Sequence, residues 1–304
     1  MRDNNFIIEN NAKHLWHPMG APGDSINNPP KVITNANGSQ ISDMDGHTTV
    51  DAVGGLWCVN LGYSNEAVKN AISEQLNHLP YYSGFAGTTN PAAIEASYMV
   101  KEMFKADGME KVFFTSGGSD SVETCLRLSR QYHRLRGEPT RTKFISLKKG
   151  YHGTHFGGAS VNGNNRFRIA YEPLLPGCFH LPSPYTYRNP FNETDPQKLA
   201  LNIAQTFEDE IAFQDKNTIA AFIMEPIQGA GGVIVPDPSF MGLMQEICER
   251  NGILMISDEV ITGFGRTGSW SGARHWNVKP DMMSMAKGIT SGYFPVGAAL
   301  MGEK

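Results

Sequence analysis

The chain has 304 residues, which is enough for a large hydrophobic core and for two domains. Its composition is that of an ordinary globular protein, and the formal net charge of −4 gives no electrostatic basis for binding nucleic acid. No apolar run approaches the roughly 18 residues that a membrane-spanning helix needs, so we expect no membrane partner.

The first strand signals lie between residues 31 and 53. Short runs rich in β-branched residues alternate there with the turn dipeptides Asn37-Gly38 and Asp45-Gly46. Asn-Gly and Asp-Gly between such runs are typical of hairpins. The segment therefore predicts a small antiparallel meander, with strands at 32–34, 40–43 and 48–50.

Aromatic loops and two helices follow the meander. Trp57 lies in a Gly-rich loop, where a core anchor is the simplest interpretation, and Phe85 lies in a second aromatic loop. Apolar residues at helical spacing predict a helix over 64–78, and Asn90-Pro91 predicts the start of another that runs to about residue 105.

From about residue 110 onward, predicted strands alternate with predicted helices. This alternation indicates an α/β fold with a mainly parallel, doubly wound sheet. Residues 160–215 are rich in Pro, Asn and Gly and show no strong periodicity before a helix near 196–213, which suggests an excursion over the surface. The predicted strands are 112–115, 143–147, 218–224, 252–257, 282–285 and a last one within 292–300.

Two of these strands bring a lysine and an acid to the same edge of the sheet. Asp258 ends one apolar run, and Lys287 follows the next. Ligands of open α/β sheets bind outside the carboxyl ends of the strands. A lysine and an acid on neighbouring strands suit pyridoxal phosphate. The lysine forms a Schiff base with the cofactor, and the carboxylate pairs with the pyridine nitrogen. The alternative is a surface lysine and a helix-capping acid.

A possible phosphate cradle follows the strand 112–115. Gly117, Gly118 and Ser119 precede a predicted helix, whose free N–H groups and dipole favour an anion. The motif alone is weak, but it is neither a GxGxxG nor a Walker loop, which argues against a dinucleotide-binding oxidoreductase. Tyr151 comes after the strand 143–147, where an aromatic ring can stack on a planar cofactor or simply occupy a turn.

The four cysteines are widely scattered and form no CxxC pair. This pattern favours reduced thiols in a cytoplasmic protein over a disulfide framework or a zinc site. The histidines do not cluster in sequence either, so we predict no metal ion.

Several motifs in this order and spacing resemble the class III aminotransferases, which are pyridoxal-phosphate enzymes of fold type I. The resemblance covers nearly the whole chain. It rests on Ser119, Tyr151-His152-Gly153, Glu225-Pro226, Asp258-Glu259-Val260 and Ala286-Lys287-Gly288.

The resemblance implies an architecture and a set of partners. Residues 54–304 would form a large domain around a seven-stranded sheet, and residues 1–53 part of a small α+β domain. Leu56-Trp57-Cys58 is similar to the ω-transaminase branch, which implies an amine or ω-amino acid donor and pyruvate as the keto acid. A homodimer or a dimer of dimers is also implied.

The resemblance also implies roles for individual residues. Lys287 would hold the cofactor covalently, Asp258 would pair with its ring nitrogen, and Tyr151 would stack on the ring. Gly118 and Ser119 would bind the phosphate. The remaining implied cofactor residues are His152, Glu225 on the hydroxyl side of the ring and Val260 beneath it; the implied substrate residues are Trp57, Phe85 and Ala230.

Two departures from the family pattern are visible. The usual Ser-Gly-Ser-Glu-Ala cradle reads Gly117-Gly118-Ser119-Asp120-Ser121, so one hydroxyl is lost. Family members also continue well past Leu300, so the sequence is expected to be truncated at its C-terminus. The alternatives are a taurine or β-alanine aminotransferase, an aminomutase or decarboxylase on the same scaffold, and an inactive fragment.

Overall fold

The computed structural model describes residues 3–304. The chain divides into two compact units, Met1–Tyr81 and Tyr82–Lys304. The boundary between these units lies after Tyr81. The domain boundary that the sequence suggested after residue 53 stays a prediction.

The N-terminal unit contains the predicted meander. Strands β1, β2 and β3 form an antiparallel sheet in chain order, in which Ala36 pairs with Ile41 and Ser42 pairs with Thr48. The meander prediction is therefore confirmed. The elements of this unit are α1 (Asn4–Asn10), α2 (Pro22–Asn27), β1 (Ile33–Asn37), β2 (Gln40–Asp43), β3 (Thr48–Val50), α3 (Gly54–Trp57) and α4 (Glu66–His78).

The short turn α3 has an unusual backbone. Leu56 and Trp57 have φ angles of 67° and 64°, in the left-handed region that non-glycine residues rarely adopt. Each such residue costs on the order of 1 kcal/mol, so the surrounding contacts must hold the turn in place. One of these contacts is made by Asp51, whose carboxylate accepts the N–H groups of Gly54 and Gly55.

The C-terminal unit is built on a seven-stranded, mostly parallel sheet. Its strand order is β4-β10-β9-β8-β7-β5-β6, and only β10 runs antiparallel to its two neighbours, β4 and β9. The predicted fold class is thus confirmed. The strands are β4 (Met109–Thr115), β5 (Lys143–Leu147), β6 (Cys178–Leu181), β7 (Ile219–Met224), β8 (Leu254–Asp258), β9 (Met282–Met285) and β10 (Gly297–Gly302).

Central strands of this sheet are buried on both faces. All residues of β7, β8 and β9 are buried, as expected for parallel strands covered by helices. The helices of the unit are α5 (Pro91–Met103), α6 (Gly118–Leu135), α7 (Phe156–Val161), α8 (Pro196–Gln214), α9 (Phe240–Asn251) and α10 (Gly272–His275). Among the described residues, none of the helices combines the length and apolarity needed to cross a membrane.

Edge strand β6 was missed from the sequence. It lies in the region interpreted as an excursion over the surface and pairs in parallel with β5. Its four residues include His180, and three of them are only half-buried. A short, partly exposed edge strand has neither a long apolar run nor a regular alternation of apolar and polar residues. The hydrophobic pattern of the sequence therefore did not indicate a strand here.

The buried acid Glu259 links α10 to the end of β8 through hydrogen bonds. Its carboxylate accepts the backbone N–H groups of Gly272 and Ala273, each at 2.8 Å, and the hydroxyl groups of Ser257 and Thr262. Glu259 is 0% exposed. Glu259 therefore accepts hydrogen bonds from the first N–H groups of α10, which have no acceptor within the helix itself.

Replacing Glu259 with alanine is expected to reduce the free energy of unfolding by about 3 kcal/mol or more, because four buried donors lose their acceptor. Urea unfolding followed by circular dichroism measures the loss. The control is Glu246→Ala on α9, which removes an exposed acid and should change stability by less than about 0.5 kcal/mol. Equal stability of the two variants would contradict the anchoring role.

Candidate active site

One pocket of the C-terminal unit lies where the parallel strands end. β5, β7, β8 and β9 run in the same direction, so their carboxyl ends meet at one edge of the sheet. β4 is antiparallel to β10, which is itself antiparallel to β9, so β4 also ends at this edge. The residues that line the pocket lie at or after the ends of these five strands, and they are Gly118, Ser119, Val122, Tyr151, His152, Gly153, Glu225, Asp258, Val260, Ile261, Ala286 and Lys287.

The N-terminus of α6 forms one wall of the pocket. α6 begins at Gly118 directly after β4, and its first N–H groups have no partner within the helix. A Cβ atom on Gly118 would lie 3.1 Å from a methyl group of Val260, so a side chain here would crowd the pocket wall. Ser119 Oγ accepts the N–H of Thr154 at 3.1 Å, which leaves its own proton available for an anion. This wall suits a phosphate group.

Tyr151 forms a second wall. The residue is half-buried, and its ring lies 4.6 Å, centroid to centroid, from the ring of Phe167. Burial, and then the negative charge of Asp258, raise the pKa of the Tyr151 hydroxyl. The second cause shows that the ring and the acid share one local environment.

Asp258 is held by donors to both of its carboxylate oxygens. Oδ2 lies 2.7 Å from Nδ1 of His152, while Oδ1 accepts the hydroxyl of Ser284 at 2.9 Å and the N–H of Val260 at 3.2 Å. The side chain is only 3% exposed. A carboxylate offers about four acceptor positions, so Asp258 can accept a further proton donor from the pocket.

Glu225 is a second buried acid of the pocket. Its two oxygens accept the N–H groups of Tyr151 and Gly229, both at 2.9 Å. Burial raises its pKa to about 7, and the charge of Asp258 acts in the same direction; the nearby His152 and the two backbone N–H groups oppose the rise only partly. At neutral pH this carboxyl can therefore hold or release a proton.

The raised pKa of Glu225 makes folding stability depend on pH. The carboxyl loses its proton near pH 4.5 in the unfolded chain and near pH 7 in the folded one. The contribution of protonated Glu225 to the free energy of unfolding is therefore complete below about pH 4.5 and is lost as the pH rises through 7. From about pH 4.5 to pH 8, the wild type should lose on the order of 3 kcal/mol relative to Glu225→Gln. Urea unfolding of both proteins at several pH values measures the difference, and a pH-independent difference would contradict it.

Lys287 lies two residues after the end of β9. The residue has a φ of 48°, in the left-handed region, and its side chain is half-buried. The register of the sheet pairs Asp258 with Ser284, so the lysine and the acid emerge from neighbouring strands at the same edge. The structure thus brings together the two residues on which the sequence argument depended.

All eight sequence-predicted cofactor residues line this one pocket. The three predicted substrate residues do not line it. Phe85 is 96% exposed, Ala230 is half-buried in the turn after β7, and Trp57 belongs to the N-terminal unit. Their roles, like those of the other site residues, remain predictions.

Sequence reasoning missed the residues that support the pocket from behind. Ser284 interrupts an otherwise apolar strand, which is a usable signal, because a lone polar residue in a buried run needs a partner. Phe167 and Asn162 lie in the region without periodicity, where nothing in the sequence relates them to Tyr151 or His152.

The fold and the pocket define a protein of the pyridoxal-phosphate type, and comparison with known proteins gives its family. Residues 23–304 match the family model for class-III aminotransferases. The chain belongs to this family.

Two curated relatives illustrate the similarity. The putrescine–pyruvate aminotransferase of Pseudomonas aeruginosa is 38% identical over 274 residues, which is 90% of this chain and 60% of that protein. The omega-aminotransferase of Caulobacter vibrioides is 35% identical over 97% of this chain and 66% of its own length. The chain thus spans about two thirds or less of the length of these relatives.

Solved structures show the same likeness. An amine transaminase from an uncultivated Pseudomonas species, determined in its PLP-bound form, is 46% identical, with a TM-score of 0.94 over 95% of this chain and 65% of that one. An (S)-enantioselective omega-transaminase from Thermomicrobium roseum is 34% identical, with a TM-score of 0.96 over 100% of this chain and 67% of that one. Pyridoxal phosphate is the cofactor of this family.

Proposed function

We propose that this protein is an aminotransferase that uses pyridoxal phosphate to move an amino group from an amine or ω-amino acid to a keto acid, with pyruvate as the acceptor. The observation that carries the proposal is the single pocket in which Lys287, Asp258, Tyr151 and the start of α6 meet. The donor and acceptor classes are supported by the names of the relatives, among them a putrescine–pyruvate aminotransferase.

The residues of the pocket fit the cofactor part by part. The N–H groups of α6 and the hydroxyl of Ser119 would hold the phosphate, and Tyr151 and Val260 would hold the pyridine ring. Asp258 would pair with the ring nitrogen. His152 and Glu225 hold the local backbone and side chains in position.

Lys287 performs the proton transfer. When bound, pyridoxal phosphate supplies an electron-accepting ring. Lys287 would hold the cofactor through its amine, and the same amine would serve as the general acid–base that moves the proton at the carbon bearing the amino group of the substrate.

The assignments outside the pocket are also proposals. Trp57, Phe85 and Ala230 contact the substrate, and residues 1–53 form part of a separate small domain from residues 54–304. The protein assembles as a homodimer, or a dimer of dimers, in the cytoplasm. Free thiols at all four cysteines support the location, and apolar side chains that are more than half exposed on α5, namely Ile94, Tyr98 and Met99, support the assembly.

The test is amino transfer by the purified 304-residue chain supplied with pyridoxal phosphate. Putrescine, β-alanine, taurine and a simple primary amine serve as donors with pyruvate, and alanine formation is measured in a coupled assay. We expect alanine from at least one donor with a terminal amine. A soluble chain that binds the cofactor but transfers no amino group to any keto acid would refute the proposal.

A further inference from the structure

The short turn α3 is left-handed along its whole length. All four of its residues, Gly54–Trp57, have φ angles between 59° and 67°. Residues other than glycine adopt this conformation singly rather than in runs, because the Cβ atom comes too close to the following carbonyl oxygen. Leu56 and Trp57 therefore adopt a conformation that their side chains disfavour. Such conformations persist only where the surrounding structure holds them, and they concentrate at functional sites.

The carboxylate of Asp51 holds the start of this turn with both of its oxygens. Oδ1 accepts the N–H groups of Val53 and Gly54 at 3.2 and 3.1 Å. Oδ2 accepts the N–H of Gly55 at 2.6 Å and the hydroxyl of Tyr63 at 2.7 Å. These hydrogen bonds, that of Tyr63 foremost, lower the pKa of Asp51, and the same hydrogen bond raises the pKa of Tyr63 to about 12. At neutral pH the pair is therefore a carboxylate and a neutral hydroxyl.

Tyr63 and Asp51 are both fixed to the hairpin between β1 and β2. The N–H of Tyr63 donates to the carbonyl of Gly38 at 2.7 Å, and the carbonyl of Tyr63 accepts the N–H of Gly38 at 3.1 Å. The N–H of Asp51 donates to the carbonyl of Ser39 in the same hairpin at 2.9 Å. The antiparallel sheet thus holds both partners of the hydrogen bond that supports α3.

Gly55 shows how closely the turn is packed. A Cβ atom at this position would lie 2.6 Å from a methyl group of Val59 and 3.1 Å from the hydroxyl of Tyr63. The absence of a side chain lets the Asp51 carboxylate and the Tyr63 hydroxyl approach the backbone. A turn held in this way gives Trp57, at its end, a fixed backbone direction.

We propose that Asp51, together with the hydroxyl of Tyr63, is a positioning residue for the selection of the amine donor: it locks the left-handed turn and so fixes the indole of Trp57. The inference rests on the proposed function, which assigns Trp57 to the substrate. It assigns to Asp51 and Tyr63 no direct contact with the substrate or the cofactor.

Conservative substitutions test the lock. Asp51→Asn keeps the shape of the side chain but replaces one oxygen with an amide nitrogen, which cannot accept a hydrogen bond. Tyr63→Phe removes one donor and keeps the ring. With phenylethylamine as the bulky donor and putrescine as the slender one, the ratio of their kcat/KM values should rise by about 10-fold in Asp51→Asn and by less in Tyr63→Phe, because an indole that is no longer fixed limits donor size less. Asp45→Asn and Tyr187→Phe alter exposed side chains and should leave the ratio unchanged.

A second readout needs neither cofactor nor turnover. The chain has four tryptophans, so fluorine NMR of the chain labelled with fluorotryptophan gives four signals, and Trp57→Phe identifies the signal of position 57. We expect this signal alone to shift or broaden in Asp51→Asn and in Tyr63→Phe. Equal changes in all four signals would indicate a general loss of structure and overturn the inference, and so would an unchanged Trp57 signal.

The two proposals fail in different ways. A wild-type chain that does not bind pyridoxal phosphate, measured by fluorescence titration of the cofactor-free chain, overturns the proposed function and this inference with it. A wild-type chain that binds and transaminates, beside Asp51→Asn and Tyr63→Phe variants with the wild-type ratio between the two donors, overturns this inference alone.

Discussion

Lys287→Ala is expected to abolish amino transfer and the visible absorption of covalently bound pyridoxal phosphate. In the proposed function the amine is both the attachment point of the cofactor and the group that moves the proton, and the described pocket contains no second lysine. General acid–base catalysis contributes about 10²- to 10⁴-fold, and the variant also loses the covalent attachment, so kcat should fall by about 10⁴-fold or more. Steady-state assays and absorption spectra of the purified chain measure both effects.

Two controls sharpen the Lys287 test. Lys279→Ala removes an exposed lysine near β9 and should keep the activity and the absorption of the wild type. Lys287→Arg keeps a positive charge but presents no nucleophilic amine, so it should be as inactive as alanine. Normal turnover by either variant at position 287 would show that another residue performs the chemistry.

Asp258→Asn is expected to bind the cofactor but to lose about 10²- to 10⁴-fold in kcat. An amide has nearly the same shape as a carboxylate but carries no negative charge, so it cannot keep a proton on the ring nitrogen. The electron-accepting capacity of the ring should fall while the phosphate contacts of α6 remain.

Asp209→Asn is the matched control for this substitution. It removes the same charge from an exposed position on α8, where the carboxylate of Asp209 accepts a hydrogen bond from the side-chain amide of Gln205. Its kcat should equal that of the wild type. If Asp258→Asn also kept the wild-type kcat, the acid would have a structural role only, and the sequence argument built on the acid–lysine pair would fail.

Sequence alone predicted the parts of the site that follow long apolar strands. The runs that end at Glu225, Asp258 and Lys287 are fully buried, and the location of their ends follows from the strand pattern. The helix predicted over 64–78 matches α4 because its apolar residues recur at helical spacing.

Other features depend on contacts between distant segments and have no local pattern. Asn162 supports His152, and Phe167 supports Tyr151, from a stretch without periodicity. The antiparallel direction of β10 could not be deduced either, because a buried strand has the same composition in both orientations. Nor does the spacing of Glu259 from α10 show that this acid caps that helix.

The position of β10 in the sheet affects the order in which the protein can fold. Within residues 3–304, β4 pairs in the sheet with β10 alone, and Thr115 pairs with Gly297, far away along the chain. Contacts between such distant residues form slowly, whereas β7, β8 and the helix between them can associate early. Since α6 follows β4 closely along the chain, we expect the proposed phosphate site to be completed only after β10 has been synthesised and has paired with β4.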